Sequence, residues 1–138
     1  GMEHLSSRTT RDVDVVLLVS DPTIRGVLAA GRMKRLAEKL DIRVGRVYLA
    51  INGVALAENG DRGVPILPPA VQENIQSEGL DLIGVIPHDP LVRQFDALGR
   101  PLVELPDDAP VRRAVVKIIA RLADVLMLQP FSSASKRA

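Results

Sequence analysis

The sequence predicts an α/β fold, a partial parallel sheet of at least three strands flanked by helices. Three observations carry that expectation. Short apolar runs rich in β-branched residues recur at residues 13–19, 46–51 and 82–86, the pattern of strands covered on both faces. Segments with helical spacing of apolar residues lie between and after them. Strands that alternate with helices imply parallel pairing through right-handed crossovers.

The first strand is "VDVVLLV", Val13 to Val19, and it stops at Ser20-Asp21-Pro22. Asp21 can cap a helix and Pro22 suits the first helical position. A helix is therefore predicted over about residues 23–40, with Ile24, Val27, Leu28, Leu36, Ala37 and Leu40 on its inner face. The second strand is "RVYLAI", Arg46 to Ile51, ending at the turn signal Asn52-Gly53. Residues 55–67 read as a polar loop, and residues 68–77 as a short helix stopped by Gly79. The third strand, "LIGVI", ends at Pro87-His88-Asp89-Pro90, where Asp89 and Pro90 repeat the capped-helix start for a helix over about 91–98. Asp107 or Asp108 is expected to cap the last helix, about 109–127, whose inner face carries Val111, Val115, Ile118, Leu122 and Leu126. Residues 1–130 read as a single α/β domain and residues 131–138 as a flexible tail.

Composition excludes several function classes. Only Tyr48, Phe95 and Phe131 are aromatic, so the core is aliphatic and the stacking platforms of a single-strand nucleic-acid binder are missing. The net charge of +1 offers no global field for DNA or a membrane surface. There is no cysteine, and the two histidines are far apart, so no ligand spacing for a metal appears. No apolar run approaches membrane-spanning length. A cytoplasmic protein is the expectation.

Ligands of open parallel sheets bind beyond the carboxyl ends of the strands. Here the loops are Ser20-Asp21-Pro22, Asn52-Gly53-Val54 and Pro87-His88-Asp89-Pro90. An Asn amide offers a donor and an acceptor, which match the N7 acceptor and N6 donor of adenine. Asn52 also reads as a turn residue in Asn-Gly. Asp21 and Asp89 read as helix caps, and His88 as an exposed loop histidine. Arg112, Arg113, Lys117 and Arg121 read as a solvated basic stripe. The 138 residues contain no G-x-x-x-x-G-K-[ST] phosphate loop.

Three stretches together resemble one family: "GMEHLSSRTTRDVDVVLLVSDPTIRGVLAAGRMKRLAE", the Asn after "VYLAI", and "GLDLIGVIPHDPLVRQFDALGRPLVELPDD". The family is the CooC-type ATPases, accessory proteins that assist nickel insertion into carbon monoxide dehydrogenase, within the MinD/ParA-like group of deviant P-loop NTPases. The resemblance covers about residues 1–125 and the family's C-terminal half. It implies the C-terminal half of a P-loop NTPase fold. The phosphate loop, the first switch, the second-switch aspartate and the nickel-binding Cys-x-Cys would lie upstream, and Met2 would match an internal methionine.

By this resemblance Asn52 recognises the adenine base, and Pro87, His88 and Asp89 form the loop along it. Glu3, His4 and Arg8 fall in or beside the second switch. The family tends to have a basic residue where this chain has Gly53, and Arg-Gly where it has Ser7-Arg8. ATP or ADP with Mg²⁺ is implied for the intact parent, with no tight cofactor and no ATP hydrolysis expected of these residues alone. The other reading is a P-loop-less assembly module that docks on a complete ATPase or on its client, carbon monoxide dehydrogenase. A half-sheet would expose a strand edge, so a homo-oligomer is also expected.

Overall fold

The computed structural model describes residues 12–40, 43–57 and 64–128. Glu3, His4 and Arg8 lie outside the described residues, as does the tail at 131–138. Three strands, β1 (Asp12–Ser20), β2 (Arg43–Val54) and β3 (Leu82–Pro87), form a parallel sheet in the order β1-β2-β3. The helices are α1 (Ile24–Lys39), α2 (Pro69–Ser77), α3 (Pro90–Ala97) and α4 (Pro110–Leu128). A 3-10 turn at Leu102–Glu104 precedes α4. The predicted α/β class, strand number and order of elements all hold.

Strand alternation divides the sheet into two faces. One face packs on α1 and α2: Leu18, Leu49, Ile51 and Val54 meet Val27, Ala30, Val71, Ile75 and Leu80 in the main core. The other face carries Tyr48, Ala50 and Ile86, which pack with Ile83, Ile118 and Leu122 beneath α4. Gly84 lets α4 come close, since a Cβ there would stand 2.5 Å from Ile118 Cγ1. The Arg121 guanidinium donates to the Ile83 carbonyl and holds α4 on β3.

Several local expectations are corrected. Asp21 does not cap α1. The cap is Thr23, whose hydroxyl oxygen accepts from the Gly26 N–H (3.0 Å) and itself donates to Asp21 Oδ1 (2.6 Å). Hence Pro22 precedes the cap and does not occupy the first helical position. The buried stripe of α1 is Val27, Ala30, Gly31 and Ala37, whereas Ile24 and Leu36 are exposed. Small residues are selected because α2 lies close, with the Glu78 carboxylate, paired to Arg35 at 2.6 Å, over Gly31. The predicted loop at 55–67 is paired at its base, where Ala55–Ala57 and Val64–Ile66 run antiparallel.

Asp107 and Asp108 lie in the turn before α4 and are exposed. Asp107 pairs with Arg112 at 3.3 Å. Val115 and Leu126, placed by periodicity on the inner face of α4, are exposed. Helical spacing identifies an apolar stripe, but only Ile118 on it has enough sheet above it to be buried, because α4 lies over β3 and not over β1.

Candidate functional site: a groove at the carboxyl end of the sheet

Asn52 and Gly53 are not a turn. β2 continues through both to Val54, with a register shift against β3 between Asn52 and Val54. Gly53 has φ +77°, a left-handed conformation that costs other residues about 1–2 kcal/mol. That conformation favours glycine at position 53. The distortion is a bulge-like kink at the strand end, of the kind that re-aims a neighbouring side chain. Asn52 lies opposite Ile86, and the His88 N–H donates to the Val54 carbonyl (2.8 Å). Thus two loops read separately in the sequence are neighbours through the β2–β3 ladder.

By alternation Asn52 points to the α4 face, on the side of Tyr48 and Ala50, yet it is exposed. Its side chain makes no hydrogen bond among the described residues. An amide held on a sheet and left without a partner keeps both its donor and its acceptor available.

Asp89 is buried and acts as a cap, as predicted, but for two helices. Oδ1 accepts from the Leu91 N–H at the start of α3 (3.0 Å), and Oδ2 from the Val111 N–H at the start of α4 (3.5 Å). One carboxylate therefore meets two helix N-termini, where negative charge is favoured. Pro90 occupies the first turn of α3 as expected. Below it, Phe95, Leu105 and Ala109 form a small core with Leu91, Val92 and Val111. The α3 end is closed by Gly99 at φ +64°, with the Arg100 N–H on the Phe95 carbonyl (2.9 Å) and the Arg100 guanidinium 4.3 Å from the Phe95 ring centroid. Arg112, read in the sequence as part of a solvated stripe, is structural. It donates to the carbonyls of Val103 (3.1 Å) and Leu105 (2.8 Å) and ties the 3-10 turn to α4.

These elements enclose a groove of about 740 Å³. Its floor is the strand ends Val19, Asn52, Gly53 and Ile86. Pro87, His88 and Asp89 form one rim, and α3, the 3-10 turn and the first turns of α4 form the far wall. All four candidate base-contacting residues, Asn52, Pro87, His88 and Asp89, therefore line one groove. Asp89 contributes wall rather than a free carboxylate, and the Asp21 loop does not line it. Sequence reasoning missed Val92, Arg93, Asp96, Leu102, Val103, Val115 and Val116. For Leu102 and Val103 the one visible signal was apolar residues outside any helical stripe, in "RPLVEL". No group of three or more His, Cys, Asp or Glu able to hold a metal occurs among the described residues. No helix among them is long and apolar enough to cross a membrane.

Chemically, the arrangement is an apolar slot with one free amide at its floor. It suits a flat heterocycle that buries its faces against Val and Pro and presents a donor–acceptor edge.

No family model matches the chain. An uncharacterized ATP-binding protein of Methanocaldococcus jannaschii is 32% identical over 122 residues, covering 88% of this chain and 45% of that protein. Among solved structures, the MinD cell division protein of Aquifex aeolicus superposes with a TM-score of 0.60 at 25% identity, over 80% of this chain and 44% of that one. The septum site-determining protein MinD of Pyrococcus horikoshii, solved with Mg-ADP, gives a TM-score of 0.55 at 21% identity, over 79% and 41%. The chain thus spans under half the length of the curated relative and has the fold of MinD/ParA P-loop ATPases. The similarities support a MinD/ParA-like P-loop NTPase family.

Proposed function

We propose, starting from that MinD/ParA-like P-loop NTPase kinship, that these residues form the base-recognising part of a nucleotide site. The observation that carries the reading is Asn52, an unpartnered amide held by a strand-end kink at the floor of an apolar groove. The residues fit an adenine. The Asn52 carbonyl oxygen would accept from N6 and its amide would donate to N7. Pro87 and the apolar wall would cover the ring faces, and Asp89 would hold that wall in place by pinning α3 to α4. When bound, the nucleotide supplies the phosphoanhydride that such ATPases cleave. The phosphates and Mg²⁺ would be held by groups outside these 138 residues, which contain no phosphate loop. These residues alone then bind ATP weakly, because phosphate cradles at helix N-termini carry much of the affinity.

The finer reading is that the parent is a cytoplasmic CooC-type ATPase that assists nickel insertion into carbon monoxide dehydrogenase. It is supported by the three quoted stretches, above all "GVIPHDPLVRQFDALGRPLVELP" around the groove. A P-loop-less assembly module is the second reading, favoured by Leu17 and Ile119, apolar side chains exposed beside the groove.

Nitrogen-15 NMR titration tests the proposal. ATP and GTP at millimolar concentration are added to the wild type and to Asn52→Ala. ATP is expected to shift the Gly53 and His88 amides more than GTP does, and the substitution is expected to abolish that preference. Equal shifts with ATP and GTP, or a preference that survives Asn52→Ala, overturn the base-reading role.

A further inference from the structure

Five ionisable side chains line the groove: His88, Asp89, Arg93, Asp96 and Arg112. Two of them hold the wall together. Asp89 gives both oxygens to the starts of α3 and α4, and Arg112 is taken up by two carbonyls and Asp107. Asp96 is different. It is exposed, and its carboxylate makes no hydrogen bond or ion pair among the described residues, although Arg93 lies only three residues earlier on α3.

The backbone that carries Asp96 is fixed at both ends. Asp89 caps the start of α3, and Phe95 is buried in the small core. The turn at Gly99 closes the helix, with the Arg100 N–H on the Phe95 carbonyl. Val92 and Asp96 are four residues apart, so they share one face of α3, and both line the groove. A free carboxylate thus stands on a wall that is already in place before any ligand arrives.

The order of residues along α3 relates Asp96 to a bound nucleoside. Asp89 stands at the floor, where the His88 N–H joins the end of β2 beside Asn52. Val92 is about one turn further along and Asp96 about two, roughly 10 Å from Asp89 along the helix. A base whose edge is read at Asn52 covers the level of Val92 with its face, and its sugar reaches the level of Asp96.

The chemistry of the group narrows its ligand. An ionised carboxylate only accepts hydrogen bonds, and it repels phosphate. No group of three or more His, Cys, Asp or Glu able to hold a metal occurs among the described residues. The best match is therefore two donors side by side. Adenine offers none, because N6 is flanked by the acceptors N1 and N7. The 2′- and 3′-hydroxyls of ribose are such a pair, and a carboxylate on the ribose 2′-hydroxyl recurs in dinucleotide sites.

We propose that Asp96 is the ribose-reading residue of the groove, accepting from the 2′- and 3′-hydroxyls and favouring ribonucleotides over 2′-deoxyribonucleotides. The inference rests on the reading of the groove as a base site and adds the sugar that the site takes.

Nitrogen-15 NMR titration with ATP and 2′-dATP, followed at the Gly53 and His88 amides, tests it. ATP is expected to bind about threefold to tenfold more tightly, the value of one hydrogen bond. Asp96→Ala is expected to bring the two nucleotides to equal affinity with unchanged circular dichroism. Asp108→Ala, exposed and outside the groove, is expected to keep the ratio, which separates a contact from a change in overall charge. Asp96→Ala is also expected to keep the preference for ATP over GTP, which Asn52→Ala removes, so the two readings fail separately. Equal affinity for ATP and 2′-dATP in the wild type, or a ratio that survives Asp96→Ala, overturns the proposal and leaves base reading standing. A preference for ATP over GTP that is lost in Asp96→Ala overturns it in favour of a contact to the base. Shifts confined to residues outside the groove overturn both readings.

Discussion

Replacing Asp89 with Ala removes one carboxylate that caps two helices. The Oδ1 bond to the Leu91 N–H is 3.0 Å and well formed. Losing such a cap costs about 1–2 kcal/mol. The Oδ2 bond to the Val111 N–H is long at 3.5 Å, and its loss adds about 0.5 kcal/mol, the low end for a hydrogen bond. The charge also faces two helix N-termini, an interaction of about 0.3–1 kcal/mol each, partly counted already in the cap. The sum is about 2–3 kcal/mol. With a urea slope of about 2 kcal/mol per molar, the unfolding midpoint of Asp89→Ala should fall by roughly 1 M. Asp89→Asn keeps an acceptor for Leu91 and should lose less than half as much. Amide exchange should quicken first in α3 and the first turn of α4. A midpoint within 0.2 M of the wild type would refute the claim that this carboxylate joins the two helices.

The remaining expectations concern single positions. Gly84→Val should cost about 1–3 kcal/mol by overpacking, because its Cβ stands 2.5 Å from Ile118 Cγ1; thermal denaturation reads this, and an unchanged midpoint would mean α4 is not seated as described. Gly53→Ala should cost about 1 kcal/mol through its positive φ alone, since no atom lies within 4 Å of the added Cβ. Asn52→Ala should change stability by less than about 0.5 kcal/mol, as for an exposed side chain without partners; a larger loss in urea titration would make Asn52 a structural residue. No ATP hydrolysis above background is expected from these residues alone, and turnover that disappears in Asn52→Ala would contradict that.

The strands were legible because β-branched apolar runs have few other uses in a chain of this length. The stop of α2 at Gly79 and the cap of α3 at Asp89 were legible for the same reason, since glycine with positive φ and Asp before Pro have narrow structural meanings. Asp21 shows the limit of that logic. Both Asp21 and Thr23 can accept at a helix start, and which one does depends on how the chain leaves β1. Asn52-Gly53 misled because the same dipeptide serves a turn and a strand-end kink, and only pairing with Ile86 and Pro87 decides between them. The far wall of the groove was hidden for a different reason. Val92, Val103 and Val116 belong to no single periodic stripe, and they meet only when α3, the 3-10 turn and α4 converge. Exposure of Val115 and Leu126 could not be read from spacing, because periodicity shows which residues share a face and not how much sheet lies above it.

The most direct test of the central claim is a crystal of the chain soaked with ADP at high concentration. The adenine should lie in the groove between Pro87 and the α3–α4 wall, with the Asn52 amide within hydrogen-bonding distance of N6 and N7. Adenine bound elsewhere, or in the groove with Asn52 turned away from its edge, would contradict the account.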